Sequence, residues 1–303
     1  MSPARRALLQ IHFCVLLWGF TAILGKLISL DALPLVWWRM GLVTAALLLL
    51  PRVWRGLLAL PKRLWLAYAG VGAVVSLHWL TFYGAIKLAN ASVAATCIAL
   101  APVFLALVEP YIAGRKFVGR ELLLGVAVVP GVALVVGGLA PHMRLGVLVG
   151  SLSALLVAVF GALNKRLVAH ADPLVVTCVE MGTGALFLTL LTPLLPYLLP
   201  HEGALFPIPG PQDALLLVVL AVGCTLVPFV LSLMALRHLS AFGAQLVVNL
   251  EPVYAIVLAI PLLGEQRELG PSFYIGVAII LSAVFANPSL ERAAKPRPPV
   301  TAP

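Results

Sequence analysis

Apolar residues run through this chain in long continuous blocks, and polar residues collect in the short stretches between them. A helix needs roughly 20 mostly apolar residues to cross ~30 Å of hydrocarbon. Ten blocks reach or approach that length, at roughly 8–28, 34–50, 64–86, 91–113, 120–139, 146–168, 173–193, 213–236, 241–263 and 270–287. None alternates with period two, so the pattern predicts spanning helices and not barrel strands. The breaks fall at Pro34, between Pro51 and Pro61, and at Asn90, Gly114, Pro141, Pro173 and Pro209 to Pro211, where the local chemistry ends helices. Residues 289–303 are charged and proline-rich and read as a disordered tail.

Composition agrees. Of 303 residues, 62% are apolar and 10% charged, with a mean hydropathy of +1.10. A soluble domain carries about 25% charged residues, and disordered chains are poor in apolar ones. Both classes are excluded. The net charge of +9 would suggest nucleic acid as a partner for a soluble protein, but here topology accounts for it. With a cytoplasmic N-terminus, fifteen Lys and Arg fall inside and four fall outside: Lys26, Lys87, Arg144 and Arg267. That bias is the positive-inside rule, and with ten spans it places both termini in the cytoplasm. The loop from about His201 to Pro211 carries no cation. Cys14, Cys97, Cys178 and Cys224 all fall in apolar blocks without metal-ligand spacing, and read as small buried hydrophobes. The first block is too long for a cleavable signal and lacks a small-residue cleavage site.

The two halves echo each other. An offset of 150 sets Ala85-Ile86-Lys87 beside Ala235-Leu236-Arg237, Pro102 beside Pro252 and Gly114 beside Gly264. Proline and glycine in register count for more than matching Leu or Ala, since each constrains the backbone. Lys26 aligns with Lys165, and Arg39-Met40-Gly41 with Glu180-Met181-Gly182. Five spans per half is an odd number, so the second half enters the membrane inverted. The expected fold is an all-α integral membrane protein of ten transmembrane helices in two inverted five-helix repeats, 1–142 and 143–288, as in many secondary transporters.

Several stretches resemble the drug/metabolite transporter superfamily, EamA type. They are Asn249-Leu250-Glu251-Pro252-Val253-Tyr254 continuing to Leu263-Gly264-Glu265, then Gly276, the weaker Leu100-Ala101-Pro102-Val103-Phe104, the run from His78 to Ile86, and Trp18-Gly19. The resemblance extends from about residue 8 to 288. It implies a carrier in the inner (plasma) membrane that moves small organic solutes by alternating access, with export of amino acids, including hydrophobic or aromatic ones, or of related metabolites as the leading expectation. A carrier for another metabolite or a drug is the alternative, followed by a non-transporting membrane subunit or a membrane-embedded enzyme.

Polar groups inside spans must face protein or a water-filled cavity. Trp18 at the centre of span 1, His78, Trp79 and Tyr83 in span 3, Asn164 late in span 6, and Gln245, Asn249 and Glu251 in span 9 are the expected solute pathway. Aromatic rings suit apolar or cationic solutes, and a histidine can exchange a proton near neutral pH. For Trp79 and Tyr83 the competing reading is an outer aromatic belt. For the polar residues it is hydrogen bonding between helices. Glu180, His78 and Glu251 are gate or proton candidates, and Pro102 and Pro252 are expected kinks acting as hinges. Arg39 is expected to snorkel to headgroups, out of reach of Glu180, and Glu109 to lie at the interface. There is no phosphate-binding loop, metal cluster or catalytic constellation, so neither enzyme nor cofactor is expected. The partners are a small solute and the bilayer, with no nucleic acid; the sequence leaves monomer and dimer open.

Overall fold

Long apolar blocks with proline at their first turns fold as capped helices. The computed structural model describes residues 2–193, 204–267 and 269–285, and every regular element in them is helical. The tail 289–303 and residues 201–203 of the cation-free loop lie outside the described residues. In chain order the helices are α1 Pro3–Leu27, α2 Ala32–Leu48, α3 Pro51–Ala59, α4 Lys62–Leu88, α5 Ala91–Ile98, α6 Ala101–Ala113, α7 Gly119–Val126, α8 Val129–Gly137 and α9 Arg144–Leu167. They continue with α10 Pro173–Leu191, α11 Pro211–Ala221, α12 Val227–Leu236, α13 Ala241–Val248, α14 Glu251–Leu263 and α15 Pro271–Phe285. Proline stands in the first turn of α1, α10 and α11, where its missing N–H costs nothing.

Seven described helical stretches are long and apolar enough to cross a bilayer, or eight if α2 and α3, bent by 96° at Leu50, count as one. Three expected spans are shorter. The block at 34–50 becomes the 17-residue α2. The block at 120–139 divides into α7 and α8, and the described part of 270–287 is the 15-residue α15.

Spans 4 and 9 are each two half-helices. Eight residues of α5 and thirteen of α6 meet at Ala99–Leu100, and eight of α13 and thirteen of α14 meet at Asn249–Leu250. Pro102 and Pro252 sit in the first turn of the second halves. Neither proline has an N–H to extend the preceding ladder, yet the residues at each break keep helical backbone angles, so each pair of halves still forms one stretch long enough to cross the bilayer. Asn90 and Ser240 cap the first halves through Val93 N (2.9 Å) and Gly243 N (3.0 Å). Gly114 (φ 66°) and Gly264 (φ 70°) end the second halves in the left-handed region, which glycine enters without penalty.

The packing repeats as well. Helix α9 lies against α4 and α6, while α1 lies against α12 and α14. Helices α4 and α9 run antiparallel, with Tyr68 Oη donating to Leu167 O (2.9 Å) near one end and Ala89 seated on Gly146 at the other. Lys87, ending α4, donates to Ile28 O at the end of α1 (2.6 Å). Its mate Arg237, ending α12, donates to Val168 O at the end of α9 (3.2 Å). Both cations cap helix C-termini, where orphan carbonyls and the dipole favour positive charge. Helices α8 and α15 cross at Gly131 and Gly276, each glycine facing the other's carbonyl. One buried cluster runs from Ala7 to Ala255 and joins the two halves in a shared core. The four cysteines are free and buried.

A cavity between the two halves

The shared core is not filled. A cavity of about 110 Å³ opens between α1, α4, α9, α12 and α13. Its lining includes Trp18, His78, Trp79, Asn164, Gln245 and Glu251 of the expected pathway. Tyr83 and Asn249 lie outside that lining, and so does Glu180. The lining extends to Leu236 and Ala241, which flank Arg237 at the basic end of the bundle.

The deepest polar group of the lining is Arg39. The structure departs here from the headgroup expectation: Arg39 is 1% exposed and lies eighth in the 17-residue α2, at the middle of the helix. Its Nε donates to Thr225 Oγ1 (2.5 Å), Nη1 to Tyr83 Oη (2.7 Å) and Nη2 to Cys224 O (3.4 Å). Its guanidinium lies 3.7 Å from the Trp79 ring centroid. The chain between α11 and α12 makes this possible. Val222–Leu226 is a π-turn, in which Thr225 Oγ1 donates to Leu220 O (2.7 Å). Pro228 has no N–H to give the Cys224 carbonyl four residues back, so that carbonyl is left for Arg39. A guanidinium has five N–H groups, and these contacts use three.

Trp79 and Tyr83, four apart on one face of α4, both serve Arg39: one offers its ring and the other its hydroxyl. Tyr83 also packs on Gly25, where any larger residue would strike its ring (2.6 Å). His78 Nδ1 lies 3.0 Å from Ser153 O and 2.8 Å from Ser153 Oγ, and Ser153 Oγ is also 2.9 Å from His78 O, so the imidazole is held against α9 by Ser153. The ring is flanked by Phe160, centroids 5.3 Å apart, and by Phe82 at 6.2 Å.

Glu251 stands at the start of α14, immediately after the break in span 9. It interacts electrostatically with Arg39, although no ion pair forms between them. Gln245 Nε2 is buried without a partner. Thr21 Oγ1, on α1, is also unpartnered and belongs to the same lining. Asn249 bridges the two breaks, donating to Ala99 O (3.3 Å). Glu180 is fully buried behind Asn164, whose amide donates to it at 3.3 Å. Glu109 is likewise buried, because Arg115 reaches back to pair with it (2.9 Å) and with Glu121. Among the described residues no three His, Cys, Asp or Glu side chains gather as a metal site.

Sequence reasoning missed Arg39 and Thr21 as cavity residues, and Thr225 as the partner that holds Arg39. For Arg39 the available signal was a cation several residues from either end of its span; Thr225 offered none beyond a hydroxyl near Pro228.

Comparison with known proteins gives the same architecture. No curated protein matches the chain significantly. Among solved structures, 22 chains are similar. One, described only as the crystal structure of a protein, shares 18% identity with a TM-score of 0.66, over 94% of this chain and 98% of that one. The likeness is one of fold. The sequence profile of the EamA-like transporter family matches twice, over residues 5–137 and 144–287. With that double match across nearly its whole length, this multi-pass membrane protein belongs to the EamA-like transporter family, whose members move small solutes.

Proposed function

We propose that the protein is a secondary carrier that exports amino acids with apolar or aromatic side chains across the inner (plasma) membrane by alternating access. The observation that carries this reading is a guanidinium and a carboxylate facing one cavity whose walls are mostly apolar. Arg39 suits a carboxylate. Glu251 suits an ammonium. Trp18, Phe160 and Phe229 offer a surface for an apolar side chain. A zwitterion neutralises both buried charges at once, which neither an amine nor an acid alone can do.

Ten spans in inverted repeats, with cytoplasmic termini, complete the reading. The basic end of the bundle then faces the cytoplasm, and a cavity that reaches Leu236 and Ala241 is open to the compartment from which solute is exported. Rocking of the halves would open the opposite side in turn.

The test is solute exchange in proteoliposomes containing only this protein, preloaded with an amino-acid mixture and followed by mass spectrometry. Selective exchange of apolar zwitterions is the expected result. Equal exchange of the matching amines or carboxylic acids would sink the zwitterion reading, and a total absence of exchange would remove amino acids as the solute.

A further inference from the structure

Glu180, on α10, and Asn164, on α9, share one hydrogen bond, from the Asn164 amide to Glu180 Oε2. Each side chain is also left with one buried atom that has no partner: Glu180 Oε1 and Asn164 Oδ1. An ionised carboxylate and an amide oxygen are both acceptors only, so as a charged pair these atoms cannot satisfy each other. A single proton on Oε1 resolves both. The neutral acid would have an O–H to offer Asn164 Oδ1 while it accepts from Asn164 Nδ2, the reciprocal pairing of a carboxylic acid with a primary amide. A buried polar atom without a partner is costly, and a buried unpaired charge more so.

The neighbouring groups leave Glu180 without a counter-ion. Tyr68 of α4 is the titratable group that acts on it, and its hydroxyl is spent on Leu167 O. Also on α4, His78 is engaged with Ser153. Arg39 of α2 is turned to Thr225 and Tyr83, and Arg52 of α3 to Asp172. Lys165 of α9 donates to Leu236 O and Leu239 O, and Arg237 to Val168 O and Ala171 O. Gly72 of α4 brings that helix directly onto the Glu180 backbone, leaving no room for an intervening side chain.

Asn164 also lines the cavity. We propose that Glu180 is a proton-binding site, loaded in the conformation described, whose proton leaves to cavity water when Asn164 turns towards bound solute. Departure leaves a bare carboxylate, which recaptures a proton when Asn164 returns. The link to solute movement rests on the carrier reading above; the protonated acid does not.

Two measurements test it. Infrared spectra of the purified protein at neutral pH are compared for the wild type and Glu180→Gln, a variant that can keep both hydrogen bonds to Asn164. The wild type should carry one protonated-carboxyl C=O band that the variant lacks; identical spectra overturn the proposal. In proteoliposomes, an imposed pH gradient should change wild-type amino-acid flux by roughly tenfold, and in Glu180→Gln the fluxes with and without the gradient should coincide. A wild type indifferent to the gradient, or a variant that still responds, overturns the coupling. If the wild type moves no amino acid, the proposed solute fails, and the infrared comparison still decides whether Glu180 holds a proton.

Discussion

The side-chain amide of Asn249 donates to the carbonyl of Ala99 at 3.3 Å, and these two residues occupy equivalent places in the two repeats, 150 positions apart. The breaks in spans 4 and 9 therefore meet and are tied to each other at the centre of the molecule. Breaking a helix frees carbonyls inside the membrane, and these must be satisfied within the protein. Asn249 answers one such carbonyl. Ala99 cannot return the bond.

Asn249→Ala removes that tie without touching the cavity lining. Hydrogen bonds between membrane helices are worth about 0.6 kcal/mol on average and up to ~1.7, so a stability loss of that size is expected. Solute affinity should change by less than about threefold. Denaturation in detergent micelles and a binding titration report the two quantities. A large loss of affinity with stability unchanged would place Asn249 in the binding site after all.

Arg39→Lys keeps the charge and loses the planar fork. Lysine cannot reach Thr225, Tyr83 and Cys224 together, nor stack on Trp79 as guanidinium does. Charge-assisted hydrogen bonds contribute about 1.5–3 kcal/mol, so solute affinity should fall by roughly 10- to 100-fold. Arg39→Ala should also lower stability, since Tyr83 Oη and Cys224 O lose their donor. Wild-type affinity in Arg39→Lys would show that the residue only lines the cavity.

Glu251→Gln separates charge from shape. An amino acid should bind roughly 10-fold more weakly to this variant, while its analogue lacking the ammonium group should bind no worse than to the wild type. Competition between the two ligands, measured on both proteins, gives the comparison. Equal weakening of both would assign Glu251 to packing at the break.

Gly131→Ala should destabilise by about 1–3 kcal/mol, the usual cost of overpacking, because a Cβ there meets the Ile280 side chain at 2.7 Å and the Gly276 carbonyl. Gly137 lies on the same helix with nothing within 4 Å of its Cβ direction, so Gly137→Ala should be neutral. Thermal unfolding of the two variants side by side checks the crossing of α8 and α15.

Much of this architecture could be read from residue order alone, because hydrophobic block length and breaker residues act locally. Pro102, Pro252, Gly114 and Gly264 marked the discontinuities, although sequence could not place each interruption two residues before its proline. Arg39 shows where local reading ends. A span boundary set at Pro34 puts it near one edge, whereas α2 starts at Ala32 and ends at Leu48, which puts it at the middle. Its partners Cys224 and Thr225 lie about 185 positions away in the other half, and no periodicity within span 2 could indicate them. Asn164 and Glu180 were separately visible as polar residues in apolar spans, but their meeting depends on how α9 and α10 both pack against α4.

The repeats agree in backbone and disagree in charge. The mate of Arg39 is Glu180, and the mate of Glu251 is Ala101. Were the halves identical, the centre would have two-fold symmetry and a guest could lie either way round with equal ease. With one cation from the first half, one carboxylate from the second and a ring wall to the side, the centre has a head, a tail and a hand. Such a site tells mirror images apart, so L- and D-forms of the same guest should compete unequally for it.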